Sequence, residues 1–318
     1  MDTTTHTTVG IGLAGLAYLD PVIPHYELTS AILLCTMLGS NAPDLDYIYR
    51  YKDTETYLKQ HRGKSHSVPA VFILTFIISM FVSIFFGFSH FFTYFFWTFV
   101  AVVLHVGFDV CNIYGTQALL PFKNKWYALH ILPIFDPFIM FSHLVGFVIW
   151  AMGVHPGFTF LSIYIVISVY ILIRYIIYRK VLNIVATLDG ASETHYTLLP
   201  TLRLFTWGIL AYTDDHYKLG RYRGGIVTWS KELKKNNEDN IVIESSKKYH
   251  FVNEILEHSK FLHAKVIRNL DGYEVHWFDL RYQYKIDEPY IAVIKLDKQL
   301  NLVQSFVKRG LIAAPEKI

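Results

Sequence analysis

The sequence predicts a polytopic α-helical membrane domain followed by a small α+β domain. Three observations support this fold class. Of the 318 residues, 53% are hydrophobic and only 17% are charged, against about 25% charged residues in an average soluble domain. The hydrophobic residues before residue 180 form long uncharged runs, whereas the residues after about 195 alternate as half-buried strands do.

The uncharged runs predict four membrane spans. Residues 68–108 contain no Asp, Glu, Lys or Arg, which is enough for two spans of about 20 residues each. The stretch from 137 to 173 repeats this pattern. Runs of this length argue against buried helices of a soluble core. We therefore predict spans near residues 68–87, 90–112, 137–153 and 158–178.

The apolar segments before the first predicted span are shorter. Residues 9–19 and 28–39 are too short for ordinary spans, and they are compatible with re-entrant, interfacial or strongly tilted helices. The predicted organisation has three parts. Residues 1–66 form short apolar helices and polar loops, residues 67–180 form the four-span domain, and residues 195–318 form the C-terminal α+β domain.

The distribution of lysine and arginine predicts the orientation. Basic residues occur in segments 50–64 and 113–136 and directly after the last span, whereas the turns at 87–89 and 153–157 have none. The positive-inside rule therefore places these segments and the C-terminal domain in the cytoplasm, with the spans in the cell membrane. The net charge of +3 follows from this bias, and no nucleic-acid-binding motif accompanies it.

The C-terminal segment predicts two hairpins. Residues 263–268 and 273–284 alternate on either side of NLDG, a turn sequence. Residues 290–296 and 301–307 form the second pair. The stretches 203–212 and 217–229 are strand-like, and 246–262 is a predicted helix capped by Ser245 or Ser246.

Histidines and aspartates collect at one edge of the predicted spans. His105 and Asp109 are four residues apart, so a helix places them on one face. They lie in an apolar span, where ionisable residues are costly and usually functional, although a structural His–Asp hydrogen bond would also explain them. The predicted topology brings further polar groups to this level, and each alone has an ordinary explanation as a loop, terminal or capping residue. They are His6, Asp44 and Asp46 of NAPDLD, His61, Arg62 and His66 of HRGKSHS, and Asp136 of LPIFDPF.

These residue types favour a metal centre. Imidazole nitrogen and carboxylate oxygen suit Zn²⁺, Mn²⁺ and Fe²⁺ at catalytic sites, and more than four such groups can hold two ions. Such a pair promotes hydrolysis of esters or phosphoesters. Arg62 could clamp a phosphate, or it could be one of the positive charges that set the orientation. Asp44 or Asp46 could act as a general base if it is not a ligand.

The motifs also resemble those of a known family. THTTVGIGLAGLAYLDP, NAPDLD, HRGKSHS, the His105–Asp109 pair before NIYGTQALLPF, and FDPF occur in this order. Together they resemble the YdjM-like membrane-bound metal-dependent hydrolase family of bacteria, over residues 1–180. Lys64 and Ser65 depart mildly from the family's HRG-T-HS pattern, although Ser65 keeps the hydroxyl. The resemblance implies an activity class without a substrate, and these metal ligands: His6, Asp44, Asp46, His61, His66, His105, Asp109 and Asp136.

The sequence therefore predicts an integral membrane hydrolase with a divalent metal, Zn or Mn, and room for two ions. Its site would lie at the cytoplasmic face. Because the site opens at the membrane interface, the expected substrate is amphiphilic, such as a lipid or phosphorylated lipid. One alternative is a non-enzymatic membrane sensor or regulator whose tail contacts a partner. Another is a transporter with His105 and Asp109 as an ion relay, but ligands at the membrane edge favour the first two interpretations.

Overall fold

The structure is a computed structural model that describes most of the chain. The described residues are 1–23, 26–51, 61–190, 192, 195–213, 215–234, 240–249, 252, 261–282, 290–307 and 316–317. They form two compact units, of which the first contains the N-terminal helices together with residues 200–206. The second contains most of the C-terminal segment.

Two short helices begin the first unit. Helix α1 (Thr3–Leu16) is capped by the side chain of Asp2, which accepts a hydrogen bond from the Thr5 amide. Helix α2 (Tyr26–Gly39) packs against α1 and against the two helices that follow. Gly10 of α1 lies against Thr36 and Ser40 of the α2 region. A Cβ added at Gly10 would come within 2.8 Å of the Thr36 carbonyl oxygen. Small residues thus let α1 and α2 approach closely, as in membrane helix pairs.

Three helices are long and apolar enough to cross a membrane in the part of the chain that the structure describes. They include α3 (Val68–Phe86), α4 (Phe91–Cys111) and α6 (Pro156–Asp189). The third predicted span, 137–153, forms a shorter apolar helix, α5 (Pro137–Ala151). Helix α6 contains the predicted span 158–178 and continues beyond it to Asp189.

Two 3-10 helices link these elements. One covers Ala42–Tyr51 after α2, and the other covers Lys64–His66 before α3. Ser67 then caps α3 by accepting a hydrogen bond from the Ala70 amide.

The C-terminal segment forms two antiparallel sheets. The first has the order β1 (Tyr196–Pro200), β2 (Thr206–Tyr212), β3 (His216–Arg223) and β4 (Ile226–Lys234). The second has the order β5 (Leu262–Asn269), β6 (Gly272–Asp279), β7 (Tyr290–Asp297), β8 (Leu302–Val307) and β9 (Glu316–Lys317).

Both predicted hairpins are confirmed. Asn269 pairs with Gly272 across the NLDG turn, and β7 pairs with β8. The single strand predicted over 217–229 is wrong, because Gly224 and Gly225 both have positive φ and turn the chain between β3 and β4.

A helix covers the second sheet. Helix α7 (Asn240–Lys247) packs Val242 and Ile243 against Val275 and Trp277 of β6. The predicted cap at Ser245 or Ser246 is wrong, because both serines lie near the end of this helix. Residues 250–251 and 253–260 of the predicted helix lie outside the described residues.

Candidate metal centre

Four polar residues of the first unit meet at the end of α4. His105 and Asp109 lie one turn apart on α4, so they share a face as predicted. The 3-10 helix after α2 contributes Asp44, and the 3-10 turn before α3 contributes His66. Three separate segments of chain therefore build one cluster.

The four side chains converge through one atom each. Nε2 of His66 lies 3.2 Å from Nε2 of His105 and 3.3 Å from Oδ2 of Asp109. Oδ1 of Asp44 lies 3.7 Å from Nε2 of His66 and 3.6 Å from Nε2 of His105. All four atoms are within 4.8 Å of one another. The two histidines and Asp109 are buried, whereas the Asp44 side chain is 18% exposed, so solvent reaches the cluster from the side of Asp44.

Hydrogen bonds on the far side of each imidazole define its tautomer. Nδ1 of His105 donates to the Ser40 carbonyl at 2.7 Å. Ser65 donates its proton to Asp46, so its hydroxyl oxygen accepts from Nδ1 of His66 at 2.9 Å. Both Nε2 atoms consequently present lone pairs to each other. A cation between the two rings would remove this repulsion, and ligating histidines are typically oriented in this way.

Two carboxylate oxygens also accept no hydrogen bond. Asp44 Oδ1 and Asp109 Oδ2 are buried and have no hydrogen-bond partner among the described residues, and Asp109 Oδ2 is only within ion-pair distance of Arg62 Nε, at 3.4 Å. Buried carboxylate oxygens normally accept hydrogen bonds because burying them without such bonds costs free energy. Two bare ring nitrogens and two carboxylate oxygens without a hydrogen bond are a ligand set for a divalent cation. The residues present therefore fit a metal ion.

Asp44 belongs to a second group as well. Asp44, Asp46 and His61 also place one ligand atom each within 4.8 Å. His61 Nδ1 lies 2.7 Å from Asp46 Oδ1, and Asp46 Oδ2 accepts hydrogen bonds from the Arg62 amide and the Ser65 hydroxyl. The shared Asp44 carboxylate is therefore placed where it could bridge two ions.

The ionisation of His66 suits metal binding. Burial and the nearby His105 lower the pKa of His66 well below its ordinary value. An ionised carboxylate and a neutral imidazole are the forms that bind metals.

Arg62 supports the cluster from behind. Its backbone has φ 63°, which is uncommon for a residue other than glycine. Its guanidinium is buried, with Nη1 donating to Asn112 Oδ1 at 3.1 Å and Nε lying 3.4 Å from Asp109 Oδ2. Asn112 in turn donates to Asp109 Oδ1 at 3.1 Å. The guanidinium thus contacts protein groups, which favours a role in positioning Asp109 over the predicted phosphate clamp.

Two of the predicted ligands lie outside both groups. His6 stacks on His105 with ring centroids 3.7 Å apart, and its Nε2 is 3.4 Å from Asp109 Oδ1. Asp136 instead caps α5, where its Oδ1 accepts hydrogen bonds from the Phe138 and Ile139 amides. His6 is therefore adjacent to the first group, whereas Asp136 has a separate set of partners.

The other side of Asp136 faces a buried arginine that sequence reasoning missed. Tyr170 donates to Asp136 Oδ2 at 2.8 Å, and Arg174 Nη1 lies 3.8 Å from the same oxygen. Asn112 was missed as well, although its position three residues after Asp109 was a usable signal. Arg174 was visible as the first charged residue after a long apolar run.

The apolar helices and the buried His/Asp cluster define an integral membrane protein with a candidate metal centre. Residues 1–181 match the family described as YdjM inner membrane protein. The chain belongs to this family, as its motifs predicted. Residues 241–312 match a second description, the YfhP C-terminal alpha/beta plait domain.

A relative from Bacillus subtilis (strain 168) is similar along its whole length. It carries the name "Uncharacterized protein YfhP" and is 35% identical over 320 residues, which cover 100% of this chain and 97% of the relative. The similarity therefore covers both the membrane part and the C-terminal part of this chain. No solved structure matches the chain.

Proposed function

We propose that this protein is an integral membrane hydrolase that uses a divalent metal, Zn or Mn, to cleave an ester or phosphoester. One observation carries the proposal. His66 and His105 present bare Nε2 atoms to two buried carboxylate oxygens, those of Asp44 and Asp109, which accept no hydrogen bond from the described residues. A purely structural cluster would be expected to satisfy these oxygens with hydrogen bonds, whereas Nε of Arg62 stays 3.4 Å from Asp109 Oδ2.

The two groups of ligand atoms would serve two ions. His66, His105 and Asp109 would hold the buried ion, Asp46 and His61 the more accessible one, and Asp44 would bridge them. A bound divalent cation supplies Lewis acidity that polarises an ester or phosphoester oxygen and lowers the pKa of water.

The protein's own groups would orient this chemistry. Asp46 is fixed by the Arg62 amide, Ser65 and His61, so it suits a positioning role better than a general base. Asp44 is the more exposed carboxylate of the first group, and it would be the better candidate for a general base only in a site where it is not a ligand.

The setting favours an amphiphilic substrate. The ligands come from the loops and helix ends of a membrane protein, where a lipid ester or phosphorylated lipid can present its polar group. The exposed Lys123 and Lys125 lie in a loop that, by the positive-inside rule, faces the cytoplasm. The site would accordingly act at the cytoplasmic surface of the cell membrane.

A second candidate function is a metal-stabilised sensor or regulator. The observation that favours it is the C-terminal segment, which forms two sheets of its own and matches an alpha/beta plait description. Within the described residues, the candidate ligand groups all lie in the N-terminal unit. A tail without ligands suits a partner-binding role.

One experiment separates the two functions. The full-length protein, its Asp44→Asn variant and a His143→Ala control would be purified, and metal content measured beside an ester and phosphoester screen that includes lipids. His143 is buried on α5, outside both groups. The hydrolase predicts metal-dependent turnover that Asp44→Asn abolishes at equal fold stability and that the control retains. Metal binding without turnover on any substrate, with a cellular effect of deleting the tail, would instead support the regulator.

A further inference from the structure

Helix α6 is too long to lie wholly within a bilayer. Its 34 residues extend about 51 Å at about 1.5 Å per residue, whereas the hydrocarbon core is about 30 Å thick. Residues 156–173 contain no charged side chain, and Arg174 is the first. This uncharged stretch is about 27 Å long. Arg174 therefore marks the level at which α6 leaves the hydrocarbon.

Arg174 also holds a loop at that level. Its side chain is buried, with Nε donating to the Ile131 carbonyl at 2.6 Å and Nη2 donating to the Thr201 carbonyl at 3.2 Å. Thr201 begins the turn between β1 and β2, and residues 200–206 belong to the same compact unit as residues 156–181 of α6. The turn is thereby fixed beside the membrane exit of the helix.

This turn exposes apolar side chains in an ordered backbone. The Thr201 hydroxyl donates to the Thr206 carbonyl at 2.7 Å and accepts from the Arg203 amide at 3.2 Å, which closes the turn. Leu202 is 64% exposed and Phe205 is 62% exposed. Arg203 between them is also exposed.

An exposed apolar pair around an arginine matches the boundary of a bilayer. Apolar and aromatic groups enter the acyl region while a cationic side chain stays with the phosphates. Val169, Leu172 and Ile173 of α6 are exposed apolar side chains just before Arg174, and Arg174 donates to the Thr201 carbonyl of the turn. The turn therefore lies beside the end of the exposed apolar stretch of α6.

We infer that the Thr201–Phe205 turn is an interfacial membrane anchor. Leu202 and Phe205 enter the lipid at the level of Arg174, and Arg203 binds the phosphate groups of anionic phospholipids. The occupant of this surface is the bilayer that α6 crosses. The inference is independent of the metal centre and of any hydrolase activity.

Fluorescence quenching in vesicles tests the anchor. The full-length chain, with Cys35→Ala and Cys111→Ala, would carry a single cysteine at position 202, 205 or 270, labelled with an environment-sensitive fluorophore. Leu270, at the β5–β6 turn and 91% exposed, is the matched aqueous control. Vesicles of phosphatidylcholine and phosphatidylglycerol would carry a lipid-chain quencher, and iodide would serve as the aqueous quencher.

The anchor predicts that lipid-borne quencher acts on labels at 202 and 205 several-fold more strongly than at 270, and iodide several-fold less. Arg203→Glu should weaken the lipid quenching at 202 in vesicles with phosphatidylglycerol but not in pure phosphatidylcholine. Iodide quenching at 202 and 205 equal to that at 270 would overturn the inference. Protection from both quenchers, with self-quenching between labels, would assign the surface to a second copy of the chain instead.

Discussion

Asp136 provides the sharpest test of which aspartates hold metal. The family resemblance places Asp136 among the ligands, whereas its side chain caps α5 and faces Arg174. Asp136→Asn keeps the cap, because asparagine is as good an N-cap as aspartate. It removes the charge and replaces Oδ2, which accepts from Tyr170 and faces Arg174, with an amide NH2 group, so it tests the ion pair together with that hydrogen bond. Asp109→Asn is the matched change within the cluster.

The expected loss of stability follows from the geometry. At 3.8 Å and an effective dielectric constant of about 20, the attraction between the two charges is about 4 kcal/mol. Removing one partner of a buried pair typically costs about 3–5 kcal/mol. Arg174 keeps its bonds to the Ile131 and Thr201 carbonyls, so we expect about 3 kcal/mol, near the lower end of that range.

Thermal unfolding and elemental analysis of the purified protein measure the two effects. Asp136→Asn should lower the unfolding temperature in EDTA as much as in added metal, and should retain the wild-type metal content. Asp109→Asn should lose metal. The double variant Asp136→Asn, Arg174→Met should lose less stability than the sum of the losses in the two single variants, because each single variant already removes the same ion pair. Loss of metal from Asp136→Asn at unchanged stability would refute this assignment of roles.

Three further predictions concern other parts of the chain. A Cβ at Gly15 would overlap the buried ring of Phe160, so Gly15→Ala should cost about 1–3 kcal/mol, and Phe160→Leu should recover part of this loss in thermal unfolding. A cysteine at exposed Lys125 should resist an impermeant external reagent in intact cells, because the basic loop is expected on the cytoplasmic side. The hydrogen bond from Lys295 lowers the pKa of Glu274. The stabilisation of the folded state by this pair is therefore present at neutral pH and is lost as the pH falls through the lowered pKa of the folded protein. Glu274→Gln should therefore lower stability at pH 7 by roughly 0.2–1 kcal/mol, with a smaller difference in acid unfolding experiments.

The parts of the site that follow a local rule were predictable from sequence. His105 and Asp109 share a face because helical spacing alone requires it. The NLDG hairpin likewise follows from local turn chemistry. The Gly224–Gly225 turn carried a comparable signal, since paired glycines mark turns, and overlooking it merged two strands into one.

The position of Asp136 depends on tertiary packing, which no local pattern contains. The amides of Ile131 and Leu132 donate to the Cys111 carbonyl, so the loop before α5 folds back onto the end of α4. Asp136 follows this loop and reaches Arg174 rather than His66. The FDPF motif therefore identified Asp136 as an important polar residue, but it could not show that Arg174 is the partner of this carboxylate.

Arg62 explains why so much polar chemistry can lie beside apolar helices. Its amide donates to Asp46, its carbonyl accepts from the Gln117 amide, and its guanidinium contacts Asn112 and Asp109. These contacts hold the backbone at positive φ, a conformation that persists only where its surroundings over-determine it. One residue thus joins the HRGKSHS segment to the end of α4 and touches a carboxylate of each ligand group. The candidate ligands are consequently held in place by the protein's own contacts, which is the preorganisation that a metal site requires.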